Sequence, residues 1–329
     1  MTSKRSDIEA ALDAAAELLA DAESVGALGH VGPDGDAIGA SWGIALAASK
    51  AGKTAVASFG EPFAIPKHFG FLNQDVVVSA KEFPEGLDVV IACDSASVER
   101  LGSLAKAALS AKKVVVIDHH GTNEGFGDVD IIDPDASSTA ELVYRLLLRL
   151  GWPIDIDVAT CLWTGVVSDT GRFQYSNTRP ETLRVAAELL EFDVASDVVG
   201  QELFERAPFG YFGVVAAVLG RAQLDPELQL VSATLFQTDL DAAECRYEDT
   251  DGLIDLVRLA DESDVALLIK ALDPGSVMSS LRSRGAIDVA AIARALGGGG
   301  HHNASGFSFK GTPEEALAAV KGELAKQRS

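Results

Sequence analysis

The sequence has few basic residues relative to acidic ones. Among its 329 residues, 27 are Lys or Arg and 49 are Asp or Glu, which gives a formal net charge of −22. Proteins that bind long duplexes draw most of their affinity from Lys and Arg side chains that neutralise phosphates. The charge balance therefore argues against long duplex nucleic acid as a partner. It permits a short anionic substrate if a bound metal ion supplies the local positive charge.

Cysteines are also scarce, and long apolar runs are absent. Cys93, Cys161 and Cys245 stand far apart and form no CxxC pair, so the sequence indicates no disulfide framework. There is no run of about 18 apolar residues, the length that would span a bilayer. No apolar stretch of signal-peptide length follows the N-terminus. These absences predict a cytoplasmic protein with no membrane partner.

The length favours two domains, and the N-terminal part has the pattern of an α/β domain. Short, nearly continuous apolar segments alternate with helical ones, which is typical of a buried parallel sheet. Strands are predicted over residues 26–31, 54–59, 87–93 and 113–117, and helices over 6–24, 37–51, 97–109, 138–150 and 157–167. We therefore expect a doubly wound, mainly parallel sheet with helices on both faces.

The C-terminal part predicts a smaller α/β domain after a helical connector. Residues 179–212 have a helical pattern with no strand of their own. Further strands are predicted over 228–236, 265–271, 276–283 and 304–309, and helices over 253–259 and 287–296. The predicted boundaries are 1–186 for the first domain, 187–212 for the connector and 213–329 for the second domain.

Five of the six histidines lie in three short acidic or glycine-rich clusters. His30 precedes Asp34 and Asp36, the pair His119–His120 follows Asp118, and His301–His302 follows four glycines. Predicted strands lead into the first two clusters and into Asp94. In open α/β sheets, ligands bind beyond the carboxyl ends of the strands. A single aspartate there is more often a helix cap or turn residue, but the shared position predicts that these residues converge on one site.

The converging residues form a mixed set of oxygen and nitrogen ligands. The candidate metal ligands are His30, Asp34, Asp36, Asp94, His119 and Asp169. Carboxylates suit Mg²⁺ and Mn²⁺, and imidazole favours Mn²⁺ or another transition metal. Six ligands exceed the needs of one catalytic ion and fit two ions that share a bridging carboxylate. Such a pair can clamp the attacking and leaving oxygens of an in-line displacement at phosphorus. The alternative is unconnected histidines beside ordinary helix caps.

Two features of the C-terminal part suggest anion binding. The run Gly297–Gly300 destabilises any helix or strand, so we expect an exposed loop whose backbone N–H groups can hold an anion. The alternative is a flexible linker. Residues 279–284 alternate as in a strand, which places Ser280, Arg282 and Arg284 on one face. Arg282 can bind a phosphate with two parallel hydrogen bonds, whereas Arg284 is interpreted as a surface residue.

Together these motifs resemble the DHH phosphoesterase superfamily over nearly the whole chain. The resemblance rests on His30-x-x-Pro33-Asp34-x-Asp36, Asp94, Asp118-His119-His120, Asp169 and Gly298-Gly299-Gly300-His301 in the family's order. The chain is most similar to the bacterial branch of nanoRNases and pAp phosphatases. The resemblance implies a DHH domain and a DHH-associated C-terminal domain. It also implies hydrolysis of short RNA, 3′-phosphoadenosine 5′-phosphate (pAp) or the dinucleotide pApA to mononucleotides by attack of hydroxide held between two metal ions.

The resemblance also implies a role for each matching position. His30 and Asp34 would hold one Mn²⁺, and Asp36, His119 and Asp169 a second; Mg²⁺ or Co²⁺ are possible substitutes. Asp94 would bridge the ions, His120 would contact the scissile phosphate, and Asp118 would orient the histidines. The implied substrate-binding residues are Arg282, Gly298, Gly299, Gly300 and His301. A homodimer is expected by the same analogy.

Several alternatives stay open at the level of sequence. A phosphodiesterase acting on intact c-di-AMP would use the same ligands, although its membrane-bound relatives carry transmembrane segments. A RecJ-like single-strand exonuclease needs a basic strand path that this acidic chain does not suggest. A family II inorganic pyrophosphatase usually lacks the Gly-Gly-Gly-His loop. A non-catalytic nucleotide-binding scaffold would tend to lose ligands, and every expected ligand is present.

Overall fold

The chain folds into two units. The computed structural model describes residues 2–250 and 252–328, with side chains for all of these except 2–5 and 301. One unit ends at Glu205 and the other begins at Arg206. This division falls inside the predicted connector 187–212.

The first unit is built on a sheet of five parallel strands. They are β1 Ser24–Gly29, β2 Thr54–Phe59, β3 Val89–Cys93, β4 Lys113–Asp118 and β5 Val129–Ile132. Their spatial order is β2-β1-β3-β4-β5, and every neighbouring pair is parallel. The sequence did not predict β5, because it is short and only one of its residues is buried. The chain runs outward in both directions from β1 and β3, which places a topological switch point between these two strands.

Helices cover both faces of this sheet, as predicted. They are α1 Thr2–Asp21, α2 Gly35–Lys50, α3 Ala105–Leu109, α4 Thr139–Leu150, α5 Ile156–Asp169, α6 Pro180–Leu190 and α7 Ser196–Phe204, with 3₁₀ turns at Lys67–Phe69 and Val98–Leu104. The larger core includes Trp42, Ile91 and Ile117. A smaller core on the other face includes Leu28 and Val90. Successive side chains along a strand point to opposite faces of the sheet, so each face has its own core.

Local sequence explains where several helices begin. Asp34 caps α2 by accepting from the N–H groups of Asp36 and Ala37, and Ser138 caps α4 by accepting from Glu141. The predicted helix 97–109 is not continuous: its first part is the 3₁₀ segment Val98–Leu104, which is interrupted at Gly102 with a φ of +56°, and only Ala105–Leu109 is α-helix. The cap of α2 is therefore also one of the predicted metal ligands.

The second unit is built on a six-stranded mixed sheet. Its strands are β6 Gln223–Asp225, β7 Leu230–Phe236, β8 Val265–Asp273, β9 Ser276–Ser283, β10 Gly299–His301 and β11 Ala304–Lys310, in the spatial order β10-β11-β9-β8-β7-β6. Only β7 and β8 are parallel among the described strand pairs. The helices are α8 Tyr211–Gly220, α9 Gln237–Ala243, α10 Leu253–Val257, α11 Val289–Ala295 and α12 Pro313–Arg328. The predicted smaller α/β domain is confirmed.

In the described part of the chain, no helix has both the length and the apolarity needed to cross a bilayer.

Candidate active site

The predicted ligands of the first unit lie beside the carboxyl ends of β1, β3 and β4. His30 follows β1, Asp94 follows β3, and Asp118 ends β4 immediately before His119. Asp94 has a φ of +53°, which is uncommon for a residue other than glycine. Such a backbone conformation marks a position where the surrounding structure fixes a side chain. The parallel strands thus bring together residues that are far apart in sequence.

His30, Asp34 and Asp94 form one cluster of potential ligand atoms. Nδ1 of His30 lies 3.0 Å from the carbonyl oxygen of Val31. A carbonyl can only accept, so Nδ1 carries the proton and Nε2 faces the carboxylates. Nε2 is 3.8 Å from Oδ2 of Asp34 and 3.5 Å from Oδ2 of Asp94. Asp34 offers this oxygen while its other oxygen caps α2.

Asp36, His119 and Asp169 form a second cluster. Nε2 of His119 lies 3.3 Å from Oδ2 of Asp169 and 3.8 Å from Oδ2 of Asp36. It also lies 3.6 Å from Oδ1 of Asp94, the carboxylate oxygen that does not face His30. Asp94 therefore stands between the two clusters and presents a different oxygen to each.

The spacing and the chemistry of these atoms fit divalent cations. The nitrogen–oxygen distances of 3.3–3.8 Å around His30 and His119 exceed the usual hydrogen-bond range. Two atoms that each lie about 2.1 Å from one ion are roughly 3.0–3.4 Å apart, so small inward movements would complete such a shell. Neutral imidazole and carboxylate are the ligand types that transition metals and Mn²⁺ take.

The buried carboxylates of the candidate ligands repel one another. Burial, and then the charges of neighbouring carboxylates, raises the pKa of Asp36 and of Asp169 well above the usual range. Burial opposes ionisation of Asp94 as well, but the neighbouring His120 and His30 hold its pKa well below the usual range. For His30, burial is outweighed by Asp34 and Asp94, which raise its pKa to about 10. A cation bound among these groups would relieve the carboxylate repulsion.

His120 is oriented by Asp118. Its Nδ1 lies 2.7 Å from Oδ1 of Asp118, and the backbone N–H of His120 donates to the same oxygen at 3.1 Å. Burial opposes protonation of the ring, yet Asp118 and Asp94 together raise its pKa to about 11. Since the carboxylate of Asp118 accepts, Nδ1 carries a proton, and at neutral pH the raised pKa means that Nε2 carries a proton as well. Asp118 therefore contacts His120 at both its ring and its backbone nitrogen.

Sequence reasoning missed two polar residues beside these ligands. Thr139 donates its hydroxyl to Oδ1 of Asp94 at 3.2 Å, and its backbone N–H donates to Asp36 at 2.6 Å. Asn123 donates to Oδ2 of Asp118 at 2.7 Å. Thr139 opens a helix that the sequence predicts, so its backbone N–H was a recognisable donor. Nothing in the sequence marked Asn123.

The predicted substrate-binding residues belong to the second unit. Arg282 lies on β9, where it is half-buried and donates to the carbonyl oxygen of Leu281 at 3.1 Å. Ser280 shares its face of the strand, but β9 ends before Arg284, which donates to the carbonyl oxygen of Arg258 at 2.6 Å. Arg284 is therefore held by backbone, rather than standing as the simple surface arginine that was expected.

The glycine run is largely exposed, as predicted, but part of it forms a strand and not a loop. Gly297 has a φ of +83° and follows the end of α11. Gly298 packs so closely that a Cβ atom would overlap the carbonyl oxygen of Gly306. Gly299 and Gly300 then pair with β11 as the edge strand β10. Hairpin pairing across a short turn outweighs the intrinsic cost of glycine in a strand. His301 ends β10, and its side chain lies outside the described part of the structure.

Comparison with protein families identifies a known domain in each unit. Residues 24–166 match the N-terminal domain of the DHH family. Residues 233–326 match the DHHA1 domain. The first match contains every predicted metal ligand except Asp169, and the second contains Arg282 and the glycine run.

Three relatives agree with these matches. The bifunctional oligoribonuclease and PAP phosphatase NrnA of Thermus thermophilus is 37% identical over 304 residues, which cover 90% of this chain and 89% of the relative. The cyclic-di-AMP phosphodiesterase GdpP of Bacillus subtilis is 27% identical over 93% of this chain, but over only 48% of its own length. A crystal structure of an exopolyphosphatase-related protein from Bacteroides fragilis matches with a TM-score of 0.88 and 25% identity, over 97% of this chain and 96% of that one.

Proposed function

The chain belongs to the DHH family, and from that premise we propose that it is a metal-dependent phosphoesterase acting on very short oligoribonucleotides and on pAp. The relative from Thermus thermophilus carries both activities in its name. The proposal rests chiefly on the position of Asp94, whose two carboxylate oxygens face the imidazoles of His30 and His119. That arrangement suits one cation on each side of a shared carboxylate.

The proposed cofactor is a pair of Mn²⁺ ions, for which Mg²⁺ or Co²⁺ can substitute. His30 and Asp34 would hold one ion, and Asp94 would be shared with the other. Asp36, His119 and Asp169 would complete the second ion's ligands. The mixed imidazole and carboxylate set favours Mn²⁺ over Mg²⁺. When bound, such ions activate a water molecule as the nucleophile and neutralise charge on phosphoryl oxygens.

His120 is the proposed contact to the scissile phosphate. Its side chain is 21% exposed, whereas that of the buried Asp118 is not exposed at all. The carboxylate of Asp118 holds Nδ1 and so fixes the plane of the ring. The Nε2–H of the protonated ring, directed at a phosphoryl oxygen, would stabilise the charge that grows there during displacement.

The second unit is proposed to bind the phosphate groups of the substrate. The guanidinium of Arg282 can donate two parallel hydrogen bonds to a phosphate. The backbone of Gly298, Gly299 and Gly300, together with His301, would supply further donors. In the described sheet, β10 has a strand neighbour on one side only, which leaves backbone groups on its outer edge for a ligand.

We also propose that the enzyme works as a homodimer in the cytoplasm. Cys93, Cys161 and Cys245 are buried and form no disulfide, which suits a reducing compartment. The homodimer is carried over from the resemblance to DHH phosphoesterases. Light scattering on the purified protein tests it, and a particle with the mass of one chain would contradict it.

A product profile tests the proposed substrates. Metal-free protein is supplied with Mn²⁺ and incubated in parallel with pAp, pApA, c-di-AMP and RNA of two to five nucleotides. We expect mononucleotides from the short RNA and AMP from pAp and pApA, and no products from an Asp94→Asn control. A preference for c-di-AMP would favour the second candidate function, which the likeness to GdpP supports. A protein inactive on every substrate with Mn²⁺, Mg²⁺ and Co²⁺ would be a scaffold and not an enzyme.

A further inference from the structure

We propose that Asn123 is a positioning residue for phosphoester hydrolysis, acting through Asp118 on His120. The inference rests on the proposed function, because that function places His120 at the scissile phosphate. Asn123 lies three residues beyond His120 on the loop after β4, and its side chain is buried.

The side-chain amide of Asn123 uses both its N–H groups and its carbonyl. Nδ2 donates to Oδ2 of Asp118 at 2.7 Å and to the carbonyl oxygen of Ser95 at 3.1 Å. Oδ1 accepts from the backbone N–H of Gly125 at 2.8 Å. Two acceptors on one side and one donor on the other fix the orientation of the amide. Asn123 thereby joins the segments that follow β3 and β4.

The amide holds the far side of the carboxylate that orients His120. Oδ1 of Asp118 accepts from the ring and the backbone of His120, and Oδ2 accepts from Asn123. A buried carboxylate held at both oxygens cannot turn about its bond to Cβ without losing a hydrogen bond. Without the amide donor, Asp118 would lose that restraint, and the ring of His120 would lose its fixed plane. Such supporting contacts are worth about 10–100-fold in activity in other metal sites.

A purely structural role for Asn123 in the loop is separable from this one. Asp130 holds the same loop by accepting from the backbone N–H groups of Phe126 and Gly127 at 3.2 and 2.9 Å. Asp130→Ala therefore loosens the loop and leaves the Asn123–Asp118 contact intact. Asn123→Asp retains an oxygen that accepts from Gly125, but it replaces the donor to Asp118 with a second carboxylate oxygen. Asn123→Ala removes the whole amide without adding charge.

The test is steady-state kinetics on pApA with Mn²⁺, combined with calorimetric Mn²⁺ titration and a melting curve for each variant. We expect kcat to fall about 10–100-fold in both Asn123 variants. KM and Mn²⁺ affinity should stay near those of the wild type, and Asp130→Ala should keep the wild-type kcat. A wild-type kcat in either folded Asn123 variant, or an equal loss in Asp130→Ala, would overturn the proposal.

A spectroscopic measurement makes the result independent of turnover. Histidine ¹⁵N resonances are recorded for the metal-free protein, with His120→Gln used to assign His120. Both Asn123 variants should shift the Nδ1 and Nε2 resonances of His120, whereas Asp130→Ala should not. Unchanged His120 resonances would overturn the positioning role. If the wild type hydrolyses no substrate, the proposed function fails, and these spectra alone decide whether Asn123 orients His120.

Discussion

The backbone N–H of Thr139 donates to Oδ2 of Asp36 at 2.6 Å. Thr139 is the first residue of α4, and the next N–H, of Ala140, donates to the other oxygen of Asp36 at 2.9 Å. The positive end of the α4 dipole therefore faces a carboxylate carried by α2. Both oxygens are held in a fixed plane, and their remaining lone pairs can point towards a cation beside His119. A helix terminus thus organises a predicted metal ligand.

The hydroxyl of Thr139 gives the first prediction. Thr139→Val removes the donor to Oδ1 of Asp94 and leaves the backbone hydrogen bond to Asp36 in place. We expect Mn²⁺ affinity and kcat each to fall about tenfold, because Asp94 loses a supporting contact. Calorimetric titration and steady-state kinetics measure both. Thr139→Ser retains a hydroxyl and should stay near the wild type, so equal losses in the two variants would contradict this role.

The two carboxylate oxygens of Asp94, which face different histidines, give the second prediction. Asp94 contacts both ligand clusters, whereas Asp34 belongs only to the cluster of His30. Asp94→Asn should weaken both Mn²⁺ sites and abolish turnover, and Asp34→Asn should weaken one site. Asparagine tolerates the positive φ of residue 94 and can still cap α2 at residue 34, so both variants should fold.

Manganese titration followed by electron paramagnetic resonance distinguishes the two variants. The wild type should bind two ions per chain. Asp34→Asn should retain one ion at a Mn²⁺ concentration where Asp94→Asn retains none. Identical binding curves for the two variants would contradict a bridging position for Asp94.

Local sequence pattern accounts for most of the strands in both units. The bounds of β2, Thr54–Phe59, and of β9, Ser276–Ser283, coincide with the predicted strands. Their apolar runs and alternation carry that information without tertiary contacts. The strands β5, β6 and β10 were missed because a short edge strand depends on its neighbour. In the described sheets β5 pairs only with β4, β6 only with β7, and β10 only with β11. For β10, the low intrinsic preference of glycine for strands predicted a loop, whereas the segment is a strand.

In the candidate site, too, some features could be predicted from the sequence and others could not. Residues that follow apolar strands, such as Asp94 and His119, could be predicted because parallel strands share a carboxyl edge. The contact between Thr139 and Asp36 joins positions 103 residues apart, and the contact between Asn123 and Asp118 depends on how one loop folds back. Neither leaves a periodic signal in the sequence. The grouping of the candidate ligands was therefore predictable, whereas the residues that hydrogen-bond to them were not.

The close approach of α2 and α5 gives the third prediction. A Cβ atom at Gly39 would overlap the carbonyl oxygen of Cys161, because the two helices pack backbone against backbone there. Gly39→Ala should lower the free energy of unfolding by about 1–3 kcal/mol and weaken metal binding, since these helices carry Asp36 and Asp169. Gly200→Ala is the matched control in the same unit, because no described atom outside the local helix backbone lies within 4 Å of its Cβ position.

Urea unfolding at neutral pH measures both glycine variants. Alanine favours the helical state over glycine, so Gly200→Ala should gain about 0.5–1 kcal/mol. If Gly39→Ala gained a similar amount, the helices would not be in backbone contact, and the close packing would be refuted.

Asp88 gives the fourth prediction, which concerns pH. Its carboxylate accepts from Lys112 at 2.6 Å and from two backbone N–H groups at the start of β1, and these contacts hold its pKa below the usual range. A lowered folded-state pKa gives stability that is present above the unfolded-state pKa of about 3.9 and is lost as the pH falls towards the folded-state value. The gap in urea midpoint between wild type and Asp88→Asn should therefore be largest at pH 7 and narrow at pH 3.

The control for Asp88 is an exposed ion pair. Glu85→Gln removes the partner of Lys106, and an exposed pair of this kind contributes little to stability. Its urea midpoint should match that of the wild type at both pH values, measured without metal. A constant gap for Asp88→Asn between pH 7 and pH 3 would show that its charge is not the source of the stability.

Arg282 gives the last prediction, which separates substrate binding from turnover. If its guanidinium binds a substrate phosphate, Arg282→Ala should raise KM for pApA about tenfold or more, because hydrogen bonds to a charged group are lost. The change in kcat should be smaller, since the proposed metal ligands lie in the other unit. Arg294→Ala removes the same charge from α11, where the side chain is exposed beside Asp288, and should keep the wild-type KM. An unchanged KM in Arg282→Ala would contradict the proposed phosphate contact, and an equal rise in both variants would reduce the role of Arg282 to general electrostatic attraction.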